Sequence, residues 1–322
     1  MKRIMILALM VLLLGGCKKN KNVNYIDELT KYNSSLDKYE LKASLKILRD
    51  DGDVNFTINV AYLKPNYYKV ILQNTSNNHT QVIVKNDDGV YVLTPDLNKQ
   101  YKFDSEWPLN SSNAYLYQSL VKEILNDETR ELTVNDDTFM VTSKVNYKAN
   151  ASLKKQQVTF SKKGYKPISC TIFDSMDKAK IKVTYEEFKT DAKLSKDDFK
   201  VELINTTVRL EIGEGGANPN LKECLPTAVL EGYTLSNSVF EENYSLHTYK
   251  KGDSLYLISA SIVTESCVLT QTREFKDIVL LDNTLGFVGT NSLSFYNDSL
   301  LVTIYQNNFN LEELMTIANS YK

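Results

Sequence analysis

The sequence is poor in the residues from which most catalytic and metal sites are built. Its 322 residues include 2 His, 12 Gly, 4 Cys and 1 Trp. Two histidines are little material for a zinc centre or a histidine-based catalytic triad, and the low glycine count argues against glycine-rich phosphate loops. Lys+Arg 38 against Asp+Glu 40 gives a net charge of -2, which excludes strong attraction to nucleic acid or to an anionic membrane surface.

Tyrosine, in contrast, is abundant, with 20 copies. Tyrosine favours half-buried strands, because the ring packs while the hydroxyl stays in contact with water. The chain is long enough for one large core or two medium ones. The composition therefore predicts a β-rich globular protein, and we expect no enzymatic function.

The first residues have the order of an export signal. The basic pair Lys2-Arg3 precedes an apolar run, Ile4 to Leu14, which has the length of a secretory h-region and is too short to span a bilayer. The run ends in Leu14-Gly15-Gly16-Cys17, which resembles the bacterial lipobox. The resemblance implies cleavage after Gly16, diacylglycerol on Cys17 and lipid anchoring to the cell membrane on its extracytoplasmic face. An ordinary secretory signal with an incidental cysteine is the alternative.

Three cysteines follow, and an odd number in an exported chain cannot all pair internally. Cys170 lies in an alternating apolar stretch and is interpreted as a core residue. Cys224 and Cys267 both lie in the second half of the chain, so they form the disulfide that we favour, and unpaired thiols are the alternative.

The hydrophobic period changes along the exported part. Residues 25 to 32 repeat at helical spacing behind the N-cap candidate Asn24. From residue 39 onward apolar and polar residues alternate, which is typical of antiparallel strands with one wet face. Residues 113–126 return to the helical period. We therefore expect a wide antiparallel sheet that a second helix interrupts.

A cluster of Gly213, Gly215, Gly216 and Pro219 marks a change of composition that is typical of a linker. The predicted organisation is a signal peptide over residues 1–16, a lipidated tether over 17–23, a first domain over 24–205, a linker over 206–222 and a second domain over 223–322.

The order of motifs in the first domain resembles the LolA/LolB/RseB superfamily. The resemblance is carried by Lys64-Pro65 before a strand, by the hairpin Ile83 to Leu93 around Asp88-Gly89, and by closing strands that end before Leu194-Ser195. It implies an α+β fold in which helices close the concave face of a strongly curved antiparallel sheet, or half-barrel. That face would accept an acyl chain or a partner's segment. A concave face filled by the protein's own side chains is the alternative.

Residues 223–322 are similar to the smaller α+β domain, DUF4367-like, that follows LolA-like domains in Gram-positive lipoproteins. The similarity is carried by Leu225-Pro226, by Leu230 to Tyr233 and by a final helix behind Asn310. In the first domain, the LolA resemblance makes Trp107, Leu116, Leu120 and Ile124 candidates for a lid over the concave face. For the tryptophan, a packing anchor is the alternative.

The remaining polar residues form no recognisable catalytic or metal motif. His79 and His247 lie far apart without zinc-ligand spacing, so the sequence predicts no metal site, no cofactor and a surface position for both. Acidic pairs such as Asp50-Asp51 fall at predicted turns, where aspartate bonds to the local backbone. Glycosidase carboxylates would instead have to converge across a cleft.

Two functions follow from these features. The first is a non-enzymatic, membrane-anchored envelope lipoprotein whose LolA-like sheet binds a hydrophobic ligand, either an acyl chain or a lipidated peptide. The second is an interaction lipoprotein that holds or regulates another envelope protein. RseB-like and GerS-like relatives imply a signalling factor or a spore cell-wall amidase as that partner. Neither function involves nucleic acid.

Overall fold

The structure is a computed structural model that describes residues 24–108, 113–147, 151–204, 208, 221, 225–263, 270–272, 275–308 and 310–321. Its helices and strands, in chain order, are α1 (Tyr25–Ser35), β1 (Lys38–Ile47), β2 (Val54–Leu63), β3 (Tyr67–Asn74), β4 (Thr80–Asn86), β5 (Gly89–Thr94), β6 (Lys99–Phe103), α2 (Tyr117–Asn126), β7 (Glu131–Val134), β8 (Thr138–Lys144), β9 (Leu153–Ser161), β10 (Pro167–Asp174), β11 (Ala179–Lys189), β12 (Thr234–Phe240), β13 (Tyr244–Lys251), β14 (Ser254–Ile262), β15 (Thr270–Thr272), β16 (Asp277–Leu280), β17 (Leu285–Val288), β18 (Ser292–Asn297), β19 (Leu300–Gln306) and α3 (Leu311–Ala318).

The first sheet is a 12-stranded curved sheet in the order β15-β6-β5-β4-β3-β2-β1-β11-β10-β9-β8-β7. Its neighbouring strands run antiparallel, except that β15 is parallel to β6. Burial alternates along β1, where Leu41 and Ala43 are buried and Glu40 and Lys42 are exposed. This alternation confirms the predicted antiparallel sheet, because successive side chains of a strand point to opposite faces.

Both α1 and α2 pack on the concave face of this sheet, as the predicted fold class requires. The Asn24 side chain caps α1 by accepting from two backbone N–H groups in its first turn. Leu29 of α1 and Leu120 of α2 join the same core as the strands. The helix expected over 113–126 begins only at Tyr117, because Leu116 has an extended backbone and caps it.

The convex face of the first sheet is partly covered as well. Residues 196–204, which include two short helical turns, bring Phe199, Val201 and Ile204 against β2 to β5. Phe199 is buried and its ring lies 5.7 Å from that of Tyr67. The central strands are therefore apolar on both sides, which explains their near-continuous burial in β4.

The second sheet is a 7-stranded sheet in the order β12-β13-β14-β19-β18-β17-β16. Its inner face packs on α3, which Asn310 caps as the sequence predicts. The expected hairpin from Tyr244 to Ile262 is present as β13 and β14. The single strands expected near 276–289 and 292–305 are instead two hairpins, β16-β17 and β18-β19. Each is interrupted by a turn that contains neither glycine nor proline. In the second hairpin Asp298 forms the turn with a φ of 50°.

The two sheets share one core. Phe275, Phe287 and Tyr296 from the second half of the chain belong to the core that is centred on the first sheet. Strand β15 also comes from the second half and lies at the edge of the first sheet. The predicted linker, 206–222, falls almost wholly outside the described residues, so its limits stay a prediction.

Candidate functional site

The concave face beneath α2 is occupied by stacked aromatic side chains. Tyr117 of α2 points its ring at the sheet, 5.1 Å from the ring centroid of Phe188 and 6.2 Å from that of Phe160. Tyr39 lies 5.1 Å from Phe188 on the neighbouring strand. Tyr39 and Tyr117 are completely buried. Along this part of the face, the protein's own rings take the space that the superfamily resemblance assigned to a ligand.

A second row of rings extends from this cluster to the segment before α2. Tyr39 lies 5.2 Å from Tyr62, Tyr62 lies 4.9 Å from Tyr68, and Tyr68 lies 5.8 Å from Trp107. Trp107 is fully buried at the end of the row. The tryptophan therefore lies against the aromatic wall of the sheet.

The four residues considered for a lid lie together in the core. Trp107, Leu116 and Ile124 have exposures of 0%, and Leu120 has 1%. All four belong to the cluster that contains the concave face of the first sheet. All four are thus shielded from solvent in the core that includes the sheet, and a lid stays a prediction.

Hydrogen bonds hold α2, and the segment that precedes it, against the sheet. The Tyr39 hydroxyl donates to Oε1 of Gln118 over 2.9 Å, and Gln156 Nε2 donates to the Leu120 carbonyl over 3.3 Å. Tyr185 donates to the carbonyl of Ala114. Because such bonds lie in a poorly hydrated interior, breaking them exposes partners that water cannot easily satisfy. Lifting α2 would therefore cost both packing and hydrogen bonds.

Burial favours the neutral forms of the tyrosine hydroxyls and of the Cys170 thiol on this face. Burial raises the pKa of Tyr39, Tyr115 and Tyr185. Burial also raises the pKa of the Cys170 thiol to about 12. A thiol in this environment is a poor nucleophile, since the thiolate is the reactive form. Cys170 is therefore a core residue, as interpreted from the sequence.

A polar junction joins the first sheet to the turn between β16 and β17. Arg49 forms an ion pair of 3.0 Å with Asp282. The side chain of Gln81 accepts from the Thr284 hydroxyl over 2.9 Å and from the Leu285 backbone over 2.6 Å. Burial raises the pKa of Asp282, and the Arg49 guanidinium opposes that rise. These contacts fix the second sheet against the turn after β1 and the start of β4.

Apolar packing completes the junction. The ring of Phe103 lies 5.2 Å from Phe275 and 5.5 Å from Phe287, and Tyr101 lies 6.2 Å from Tyr296. The Tyr296 hydroxyl donates to that of Tyr101 over 2.5 Å. Sequence reasoning missed this junction, because alternation shows which residues face inward but not which sheet they meet. The available signal was the pair of aromatic residues Phe287 and Tyr296 in otherwise short strands.

The two histidines lie in different environments, and the prediction of a surface position for both is wrong. His247 on β13 is completely buried between Ser238 and Ser245, which lie 2.9 Å and 3.1 Å from its ring nitrogens. Burial lowers its pKa. His79 is largely buried and lies 2.5 Å from Asp96. Inward register on β13, which polar neighbours in the sequence obscured, explains the position of His247, whereas His79 lies in the loop just before β4.

Other predicted site residues lie outside the described part of the chain. These are Gly16 and Cys17 of the export signal and the cysteines Cys224 and Cys267. Over the described ranges, no three His, Cys, Asp or Glu side chains come together in a way that could hold a metal ion. None of the helices among those residues is long and apolar enough to cross a membrane.

Comparisons with known proteins give a consistent family match. A family profile described as "Sporulation protein YdcC-like" matches residues 1–199. The chain is 29% identical over 320 residues to the sporulation protein YdcC of Bacillus subtilis, covering 97% of this chain and 94% of the relative.

Solved structures are similar at low sequence identity. The complex of MucA and MucB from Pseudomonas aeruginosa matches with 10% identity and a TM-score of 0.36, covering 93% of this chain and 99% of the other. A LolA superfamily protein from Nitrosomonas europaea matches with 8% identity and a TM-score of 0.33, covering 55% of this chain and 98% of the other.

Proposed function

We propose that this chain, which belongs to the family of YdcC-like sporulation proteins, acts in the cell envelope during sporulation by holding another protein. In this proposal the chain is not an enzyme. Residues 1–16 are removed as a signal peptide, and lipid on Cys17 anchors the mature protein to the outer side of the cell membrane. The folded sheets then present a binding surface on the outer side of the membrane.

The observation that carries the proposal is the aromatic filling of the concave face. Tyr39, Tyr117 and Phe188 pack ring against ring beneath α2. Protein interiors are packed like organic crystals, so an acyl chain would have to displace these rings. A protein partner binds the outer surface and leaves this core intact. The packing therefore supports partner binding over lipid carriage.

The partner can be tested by crosslinking in sporulating cells. The full-length chain with a C-terminal affinity tag is crosslinked, purified and analysed by quantitative mass spectrometry. We expect one envelope protein in nearly equimolar amount. The matched control carries residues 1–23 of this chain on an unrelated folded protein, which keeps the anchor and removes both sheets. Recovery of the same proteins in the same amounts with this control would contradict the proposal.

The anchor is tested separately by Cys17→Ser. We expect the substituted protein to move from the membrane fraction to the soluble fraction, because acyl burial at about 0.8 kcal/mol per CH₂ is lost. Incorporation of a labelled fatty acid should stop as well. An unchanged membrane fraction would show that something other than this cysteine holds the protein there.

A hydrophobic ligand is the second candidate function, and two buried donors favour it. Among the described residues, the indole N–H of Trp107 and the Gln118 side-chain nitrogen have no hydrogen-bond acceptor. An ester carbonyl would satisfy such donors. Native mass spectrometry of the mature chain carrying Cys17→Ser separates the candidates. Partner binding predicts no copurifying lipid, whereas a stoichiometric lipid adduct would favour this second function.

A further inference from the structure

The outer face of the second sheet is covered over one half only. From β16 to β18 its side chains, including Phe287 and Tyr296, pack against the first sheet. Beyond this contact, over β19, β14 and β13, the face forms an open groove with a volume of about 600 Å³. The groove residues are Tyr244, Leu246, Leu257, Ser259, Ser261, Asn291, Leu301, Thr303, Tyr305, Gln306 and Asn307.

No charged side chain lines this groove within the described residues. Its lining consists of leucine, tyrosine, hydroxyl and amide groups. The open face of the first sheet differs, because a groove of about 290 Å³ there is lined by Glu40, Lys42, Lys69, Glu187 and Lys189 among others. Antiparallel sheets usually turn a charged face of that kind to water. Depletion of charge is instead typical of the centre of a binding interface.

The second sheet already accepts a helix on its other face. Helix α3, with 8 residues, buries Leu314, Ile317 and Ala318 against the inner side of the sheet. Three neighbouring strands span about 14 Å, which exceeds the diameter of about 10 Å of one helix with its side chains. The outer groove therefore has the width that fits one helix.

We propose that this groove binds an amphipathic helix of the partner protein through a narrow, uncharged apolar stripe. The inference rests on the proposed partner-holding function and names the binding surface. Leu246, Leu257 and Leu301 line the groove together with small hydroxyl residues. Leucines at positions i, i+3, i+4 and i+7 of a helix would meet such a surface, and the uncharged lining favours an uncharged stripe.

Area argues against a second copy of the chain as the occupant. Three strands of about 14 Å width and a length of about 20 Å give about 300 Å² on each molecule. A stable protein interface needs about 800 Å² on each partner. The groove is too small for that, whereas one helix of about four turns would cover its length.

An added strand at the free edge of the sheet is disfavoured as well. Edge strand β12 is exposed and carries no charge, so its backbone could accept a partner's strand. However, the register of β12 shifts between Leu235 and Asn237. A bulge of this kind bends an edge and interrupts further pairing. The smooth outer face is therefore the better docking surface.

The probe for the test is a synthetic 15-residue helix with leucines at the four stated positions and uncharged polar residues elsewhere. It is added to the mature chain carrying Cys17→Ser, and leucine methyl signals are followed by NMR. We expect shifts at Leu246, Leu257 and Leu301. Ser259→Lys places a charge in the centre of the groove and is expected to weaken binding at least tenfold.

The controls are matched to the position and to the shape of the probe. Ser259→Thr should bind like the unsubstituted chain, and so should Asn59→Lys, which places the same charge in the groove of the first sheet. A probe broken by two prolines, or one with lysines on its stripe, should bind at least tenfold more weakly. Absence of binding, equal binding by Ser259→Lys, or equal binding of the broken probe would overturn the inference.

The outcome is separable from that of the proposed function. If the crosslinked partner is recovered undiminished by Ser259→Lys and the probe does not bind, the groove assignment fails and partner holding stands. If the probe binds as expected but the crosslinking finds no partner, the groove is supported as a helix site and the proposed function fails.

Discussion

At the scale of single residues, the residue types that often do chemistry lie in environments that suppress their reactivity. Cys170 and His247 belong to residue types that often do chemistry, yet both are buried on strands. The sequence identified Cys170 correctly because its neighbours alternate with a period of two. It misplaced His247 because serine and threonine on both sides of it hid the register. Residue type alone could not decide either position.

The Cys170 thiol is expected to resist alkylation in the native protein. Burial raises its pKa to about 12, so the thiolate is scarce at pH 8 and the reagent has no access. In a mature chain with serine at the other cysteine positions, iodoacetamide should react at least about 100-fold more slowly than after unfolding. Met176→Cys, at a side chain with 81% exposure, should react at the unfolded rate. Comparable native and unfolded rates for Cys170 would contradict its burial.

Removing Arg49 should destabilise the protein in a pH-dependent manner. Arg49→Met leaves the Asp282 carboxylate, with 18% side-chain exposure, without this partner, at a cost of about 1–2 kcal/mol at pH 7. Burial already raises the pKa of Asp282, and loss of the guanidinium raises it further. An acid whose folded pKa is raised destabilises the fold increasingly as pH rises through that pKa.

Urea unfolding at several pH values checks this prediction. The difference between Arg49→Met and the unsubstituted chain should be largest at neutral pH and should shrink as acidification protonates Asp282. Lys31→Met, which breaks an exposed ion pair on α1, is the control and should leave the stability unchanged at every pH, because solvent screens exposed pairs. A deficit for Arg49→Met that is constant with pH would argue against coupling to Asp282.

At the scale of elements, strands bounded by strong turn signals were predictable. The hairpin of β13 and β14 turns next to Gly252, and its position was expected. The two hairpins β16-β17 and β18-β19 were expected as single strands, because residues such as Asp298 form their turns without glycine or proline. The predicted start of helix α2, residue 113, lies four residues before the observed start at Tyr117. The periodicity of apolar residues does not show where the extended backbone ends and the helix begins.

Helix α2 is expected to be part of the packed core and not a loosely held cover. Leu120→Ala should therefore cost about 2–5 kcal/mol, the range for deleting a buried leucine side chain. Leu203→Ala, at a residue with 56% exposure, is the matched control and should have an effect near zero. Denaturant unfolding measures both. A cost for Leu120→Ala below about 1 kcal/mol would indicate a face with space beneath the helix.

At the scale of the whole molecule, the curved sheet and its closing helices were predictable, and the union of the two sheets was not. The sequence predicted strands near 276–289 and 292–305, which carry Phe287 and Tyr296. It could not show that they meet Tyr101 of the first sheet. Such contacts join residues far apart in sequence, and no local period encodes them. The candidate groove could not be predicted for the same reason, because the residues of its uncharged lining come from separate strands.

The shared core should make both sheets unfold together. Phe287→Ala removes a completely buried ring and should cost about 3–5 kcal/mol. Calorimetry should show one transition that moves to lower temperature as a unit, and hydrogen exchange should accelerate in β4 and β14 alike. Phe240→Ala, at an edge residue with 42% exposure, is the control with little effect. Two separated transitions would contradict a common core.

The pairing of β15 with β6 sets the order in which the fold can be completed. Gln100 lies in the first third of the chain and its partner Thr270 near the end. A growing chain thus exposes the edge of β6 until the last part of the sequence has been synthesised. Contacts between distant segments close slowly, and unpaired edges invite aggregation meanwhile. A chain truncated before residue 270 would keep that edge open permanently, making it a substrate for quality-control proteases.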